Sequence, residues 1–148
     1  ARRQRQMCIR DRFIVPDYRP EEVGTDAAVA QPATGTKFGV VVRHNDHSLS
    51  ADRTKKNGGK GKGFTAEGLI MSALATAATQ AVKDAGKRLA LDDVHVSITQ
   101  TGPASFERRI ELAGNLSAEE EAALRSAAKD TDVERMLGNV TIVDVDTH

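Results

Sequence analysis

A chain of 148 residues is the length of one ordinary domain, and 39% hydrophobic with 28% charged residues is a globular composition. Twenty-one basic residues balance 21 acidic ones. No overall basic field therefore argues for nucleic acid, and no apolar run approaches the roughly 20 residues that span a bilayer. Aromatics are only 3% and Trp is absent, so the core must be built from Val, Ile, Leu and Ala. The single cysteine, Cys8, cannot form an internal disulfide. With no apolar signal-peptide stretch in view, the expectation is a cytoplasmic protein with neither a membrane nor a nucleic-acid partner.

Residues 1–12, ARRQRQMCIRDR, pack five Arg into twelve positions without apolar periodicity. They read as a translated sequencing-adapter remnant or a disordered arm; the alternative is a basic arm for nucleic acid or a membrane surface. Taking their five Arg and one Asp from the totals of 21 and 21 leaves 16 basic and 20 acidic residues. Residues 13–36 contain Pro16, Pro20, Gly24, Pro32 and Gly35. Phe13–Val15 reads as a short strand and the rest as loop or linker.

From Lys37 the pattern sharpens. Phe38, Val40 and Val42 alternate with their neighbours, giving a strand over 37–43. His44-Asn45-Asp46 turns it, and Ser48–Ala51 returns as the other arm of a hairpin. Asn57 to Gly63 reads as a flexible, solvated loop, with four Lys between positions 55 and 62. Thr65 caps an Ala-rich helix over 66–86 that Gly86 stops. Val94, Val96 and Ile98 alternate in one strand, and Phe106, Arg108, Ile110 and Leu112 in the next. Ser117 with Glu120 is a capping box that opens a helix to about Lys129. Val133–Leu137 is a short helical turn, and Val140, Ile142, Val143 and Val145 a last strand. The order ββ–α–ββ–α–α–β implies an α+β fold with an antiparallel sheet.

Candidate chemistry is sparse. The loop over 58–63 lacks Gly-Lys-Ser/Thr and is no phosphate-binding P-loop, and its loose fit to a dinucleotide fingerprint has no buried strand before it. Its lysines, ahead of a helix N-terminus, could still attract an anion. His44, Asp46 and His47 sit in a hairpin turn without a third positioned ligand, so no metal is expected. His95 faces outward and His148 is terminal. No Ser-His-Asp grouping has supporting context, and Glu119-Glu120-Glu121 is a solvated helix face.

Five segments in order carry a resemblance: Asn57-Gly58-Gly59, Thr65-Ala66-Glu67-Gly68-Leu69, Leu91-Asp92-Asp93-Val94, Gly114-Asn115-Leu116-Ser117, and Asp132-Val133 followed by Leu137-Gly138-Asn139. Together they resemble the OsmC and organic hydroperoxide resistance family of stress-response proteins, over about residues 37–146. The resemblance implies an OsmC-like α+β domain over 37–148, with an antiparallel sheet packed on a long central helix, in an intertwined homodimer. The small residues Ala73, Ala75, Ala77 and Ala78 suit close helix packing in such a dimer.

The chain departs from the family at its chemistry. Counting from Glu67, the family's peroxidatic cysteine falls at Ala77, and its resolving cysteine falls at Thr131. Neither side chain supplies a thiolate that attacks an O–O bond and cycles through a sulfenic acid. Glu67 matches the family glutamate that shapes the active site; as a bare helix-start acid it would serve only the helix dipole. The family's arginine has no assignable position here. The resemblance thus implies a cysteine-less member without a cofactor, binding a small apolar or anionic ligand or pairing with a cysteine-bearing homologue. The alternatives are a hydroperoxide reductase with its site elsewhere, or an enzyme of different chemistry using Glu67.

Overall fold

A computed structural model describes residues 23–144, so residues 1–22 and 145–148, and with them Cys8 and the expected strand at Phe13–Val15, lie outside the described residues. The elements run β1 (Ala28–Pro32), β2 (Val40–His44), β3 (His47–Ala51), α1 (Ala66–Ala85), β4 (Leu91–Gly102), β5 (Ser105–Gly114), α2 (Ala118–Lys129) and α3 (Asp132–Gly138). The fold class is α+β, and the pairings between these strands, β1–β2, β2–β3 and β4–β5, are antiparallel. The chain divides into two compact units, residues 1–69 and 70–148.

In the first unit β2 is central, between β1 and β3. The expected hairpin is present, shifted by a few residues: β2 and β3 join through Asn45-Asp46, with Asn45 at φ 57, a left-handed position that Asn tolerates. β1 corrects the reading of residues 16–36 as loop. Ala28-Val29-Ala30-Gln31-Pro32 has low intrinsic strand preference, but Val29 and Gln31 alternate inward and the segment pairs in register with Val40–His44. Its Pro ends the strand on the sheet edge, where a missing N–H costs least.

The loop after β3 is also corrected: it is pinned rather than loose. Asp52 is buried, and its carboxylate accepts from the backbone N–H of Arg53 at 2.7 Å, Lys60 at 3.1 Å and Lys62 at 3.3 Å. Gly59 and Gly61 donate to Thr54 and Arg53 carbonyls, and Phe64 closes the loop by exchanging backbone bonds with Ser50 and Asp52. Gly59 is required, because a Cβ there would lie 2.1 Å from the Arg53 carbonyl oxygen. Arg53 lies over the Phe38 ring at 4.0 Å from its centroid.

The helix α1 begins as expected, with Thr65 Oγ1 accepting from Gly68 N at 2.9 Å. In the second unit its buried positions are Leu74, Ala78 and Val82, one stripe at helical spacing. Ile70, Ala73, Thr76 and Gln80 of the same helix are exposed in the single chain. Ala78 and Val82 pack with Leu124 and Ala128 of α2, all at most 1% exposed. Beneath them β4 and β5 form a two-stranded hairpin whose facing pairs Val94–Leu112 and Val96–Ile110 close the cluster. Ser117 caps α2 with the full capping box. The expected strand at Val140–Val145 is absent from the described part: residues 140–144 have no regular structure, and Val140, Ile142 and Val143 are 57–79% exposed. Alternating apolar residues become a strand only beside another strand with free backbone groups, and none lies alongside them among the described residues. Among the described residues no helix is long and apolar enough to cross a membrane.

Two predictions test this packing and the loop. Leu124 is fully buried in a cluster otherwise made of small side chains, so Leu124→Ala should destabilise the chain by about 2–5 kcal/mol in urea titration. Burial pushes the Asp52 carboxyl up, but the backbone N–H groups of Arg53, Lys62 and Lys60, with the Lys60 charge, pull it further down, below its ordinary 3.8. The folded state thus favours the charged carboxylate, so its contribution is complete above pH 4 and is lost as pH falls through the depressed value. Asp52→Ala should therefore lower Tm by a few degrees at pH 7, and the difference should shrink toward pH 2.

Candidate functional site

The second unit contains both positions at which the family cysteines are expected. Ala77 is half-buried at the edge of the buried stripe of α1, one residue before Ala78. Thr131 is 9% exposed and lies three residues beyond Ala128. Since Ala78 and Ala128 share one cluster, the helix turn that carries Ala77 and the end of α2 that leads to Thr131 are anchored in the same core. The Thr131 hydroxyl is engaged: it is the N-cap of α3 and accepts from Glu134 N at 3.2 Å. Oxygen held this way satisfies a helix-end donor.

Glu67 belongs to the first unit, exposed in the first turn of α1. An acid there is favoured by the helix dipole. A shallow concavity on α1 is lined by Ala75, Thr76, Thr79, Gln80 and Lys83. Glu67, Ala77 and Thr131 do not line it.

One polar cluster escaped the sequence reading. Arg108, half-buried on β5, pairs with Glu134 of α3, whose N–H caps onto Thr131. Arg135, next on α3, pairs with both Asp130 and Asp132, the neighbours of Thr131, and these carboxylates raise its already high pKa. Position 131 is thus framed by ion pairs. The signal was legible: Arg108 falls on the inward phase of Phe106, Ile110 and Leu112, where a charge needs a partner, and Thr131 to Glu134 has the spacing of a helix cap.

The histidines serve the hairpins. His44 Nδ1 donates to the Ala27 carbonyl at 2.8 Å, and His47 pairs with Asp46 at 3.2 Å in solvent. His95 lies 3.4 Å from Asp93, also exposed. Among the described residues no three His, Cys, Asp or Glu side chains converge as a metal site would need.

No protein-family model matches the chain, and no curated protein matches it. Solved structures do. An osmotic stress induced and detoxification response protein from Psychrobacter arcticus matches at a TM-score of 0.63 with 14% identity, over 73% of this chain and 85% of that one. An OsmC-like protein from Mycoplasma pneumoniae matches at 0.55 with 17% identity, over 77% of this chain and 86% of its own. The chain has the fold of the OsmC-like proteins.

Proposed function

We propose that this chain is an OsmC-like protein without thiol chemistry, a cytoplasmic homodimer that holds a small apolar or anionic molecule where its relatives reduce peroxides. The observation that carries the reading is the pair of residues at the expected cysteine positions. Peroxide reduction needs a thiolate to attack the O–O bond, release an alcohol and become a sulfenic acid, and a second thiol to close a disulfide and release water. Ala77 offers a methyl group, and the Thr131 hydroxyl is committed to capping α3. The only cysteine of the chain is Cys8, outside the stretch that resembles the family.

Dimerisation is supported by what one chain leaves uncovered. Ile70, Phe106, Met136, Leu137, Val140, Ile142 and Val143 are exposed in the second unit. Among the described residues its sheet has two strands, and a hairpin of that size is marginal without a further strand or covering layer. A second copy would supply apolar surface for both the exposed face of α1 and the segment after Asn139.

Three outcomes are expected. Incubated with an organic hydroperoxide and a dithiol, the Cys8→Ser chain should consume peroxide at the uncatalysed rate; consumption well above it, surviving a chelator, would show that the site has been misread. In the same background, Ala77→Cys with Thr131→Cys should form an intramolecular disulfide on mild oxidation, because pairing requires Cβ atoms within ~4.5 Å. Thiols that never pair would place at least one family cysteine elsewhere. Sedimentation at micromolar concentration should give twice the chain mass, and a clean monomer would contradict the dimer.

A further inference from the structure

The zero net charge that spoke against nucleic acid averages over an uneven distribution. From Arg53 to Lys62 the chain carries five cations, Arg53, Lys55, Lys56, Lys60 and Lys62, and no acid. All five residues are exposed. Among the described residues none of these four lysines enters an ion pair. The adjacent Asp52 does not neutralise the loop at its surface, because its carboxylate is buried and turned onto backbone N–H groups.

Ordinary solvated faces intersperse the two signs, since unrelieved like charges repel. Here repulsion is opposed by the loop's own closure. Asp52, the Gly59 and Gly61 bonds to Thr54 and Arg53, and the Phe64 bonds to strand β3 hold the ends of the cationic stretch together. At its base Phe64 is 47% exposed while its backbone is bonded to both Ser50 and Asp52. The loop therefore combines four exposed lysines without ion pairs, on a backbone held by hydrogen bonds, with an anchored, accessible aromatic ring.

We propose that the Arg53–Phe64 loop is a docking surface for single-stranded nucleic acid. Lys55, Lys56, Lys60 and Lys62 take the phosphates, and Phe64 stacks with one base. A linear polyanion meets several separately exposed ammoniums at once and releases a counterion for each, which a lone small phosphate cannot do. The exposed ring distinguishes a nucleic acid from a polyphosphate lacking bases. Nothing in the loop reads base edges, so binding is independent of sequence. The inference stands apart from the ligand proposed for the second unit.

The test is fluorescence anisotropy of a labelled oligo-thymidine strand with the full chain at several salt concentrations. Binding should weaken steeply with salt. The variant with Lys55, Lys56, Lys60 and Lys62 all changed to Gln should bind roughly tenfold or more weakly at low salt, with a log–log salt slope shallower by up to about 3, at ~0.7 for each phosphate left without its lysine. Its Tm should stay close to the parent's, because the backbone N–H groups that hold Asp52 are kept and only the smallest contribution to that carboxylate, the Lys60 charge, is lost. Residues 1–12 are present in both proteins and cancel from the comparison. Lys87→Gln with Lys129→Gln, a loss of charge in the other unit, should leave binding within twofold. Phe64→Ala should weaken binding to the oligonucleotide while leaving inorganic polyphosphate unaffected. The proposal is overturned if the full chain does not bind the strand, or if the four-lysine variant binds like the parent. It is equally overturned if Phe64→Ala is silent while polyphosphate competes as well as the strand, or if only phosphatidylserine vesicles are bound.

Discussion

The shared core of α1 and α2 over the β4–β5 hairpin is the packing on which the second unit depends. It is made by four residues, Ala78, Val82, Leu124 and Ala128, and two of the four are alanines. Alanine at a helix contact lets backbones approach closely and costs no side-chain entropy on burial. The same choice makes the core thin, because a methyl group removes little apolar surface from water. A sequence with few aromatics accepts that trade within one chain and leaves much of its larger apolar surface, from Ile70 to Val143, for something else to cover.

Polar groups set the local geometry that so thin a core cannot. Asp52 organises the loop after β3 by accepting three backbone hydrogens, while Ser117 and Thr131 start α2 and α3. The Arg108–Glu134 pair ties α3 to β5. A half-buried ion pair is a poor source of net stability but a strong constraint on register, since removing one partner leaves the other charged and desolvated. Sliding α3 by one residue along β5 would do just that, and would also break the Thr131 cap.

Elements with strong periodicity were legible in the sequence: the extent of α1, the β4–β5 alternation and the capping box at Ser117 stand where their patterns put them, while the buried stripe of α1 falls on Leu74, Ala78 and Val82 rather than on Ala73, Thr76 and Gln80. Two strand assignments were not legible, for opposite reasons. β1 has a weak pattern and exists because β2 offers an open edge to pair with. Residues 140–144 have a strong pattern and remain irregular because no strand lies beside them among the described residues. In both cases the pairing partner decides, and a partner is not a property of the segment itself. The candidate site was legible in part. The resemblance assigned positions 77 and 131; the inward phase of Arg108 and the Thr131–Glu134 spacing were in the sequence, but the partner each takes required the fold. Asp52 was hidden because its role depends on backbone N–H groups as many as ten residues away.

The Thr131 cap bears on how a chain of this fold can exist without its chemistry. On the proposed alignment, 131 is where relatives keep a resolving thiol, and here it is the N-cap of a seven-residue helix. Sulfur is a weak hydrogen-bond acceptor, and threonine ranks among the favoured capping residues, with a typical advantage of about 1 kcal/mol over a non-capping side chain. A short helix gains much from one good cap, since it has few internal bonds to lose to fraying. On that alignment, a hydroxyl in place of a thiol would remove redox chemistry and strengthen α3 in a single step. At position 77 a methyl in place of a thiol would likewise suit packing at the edge of the Ala78 stripe. Both changes would favour the scaffold at the positions where they abolish the reaction.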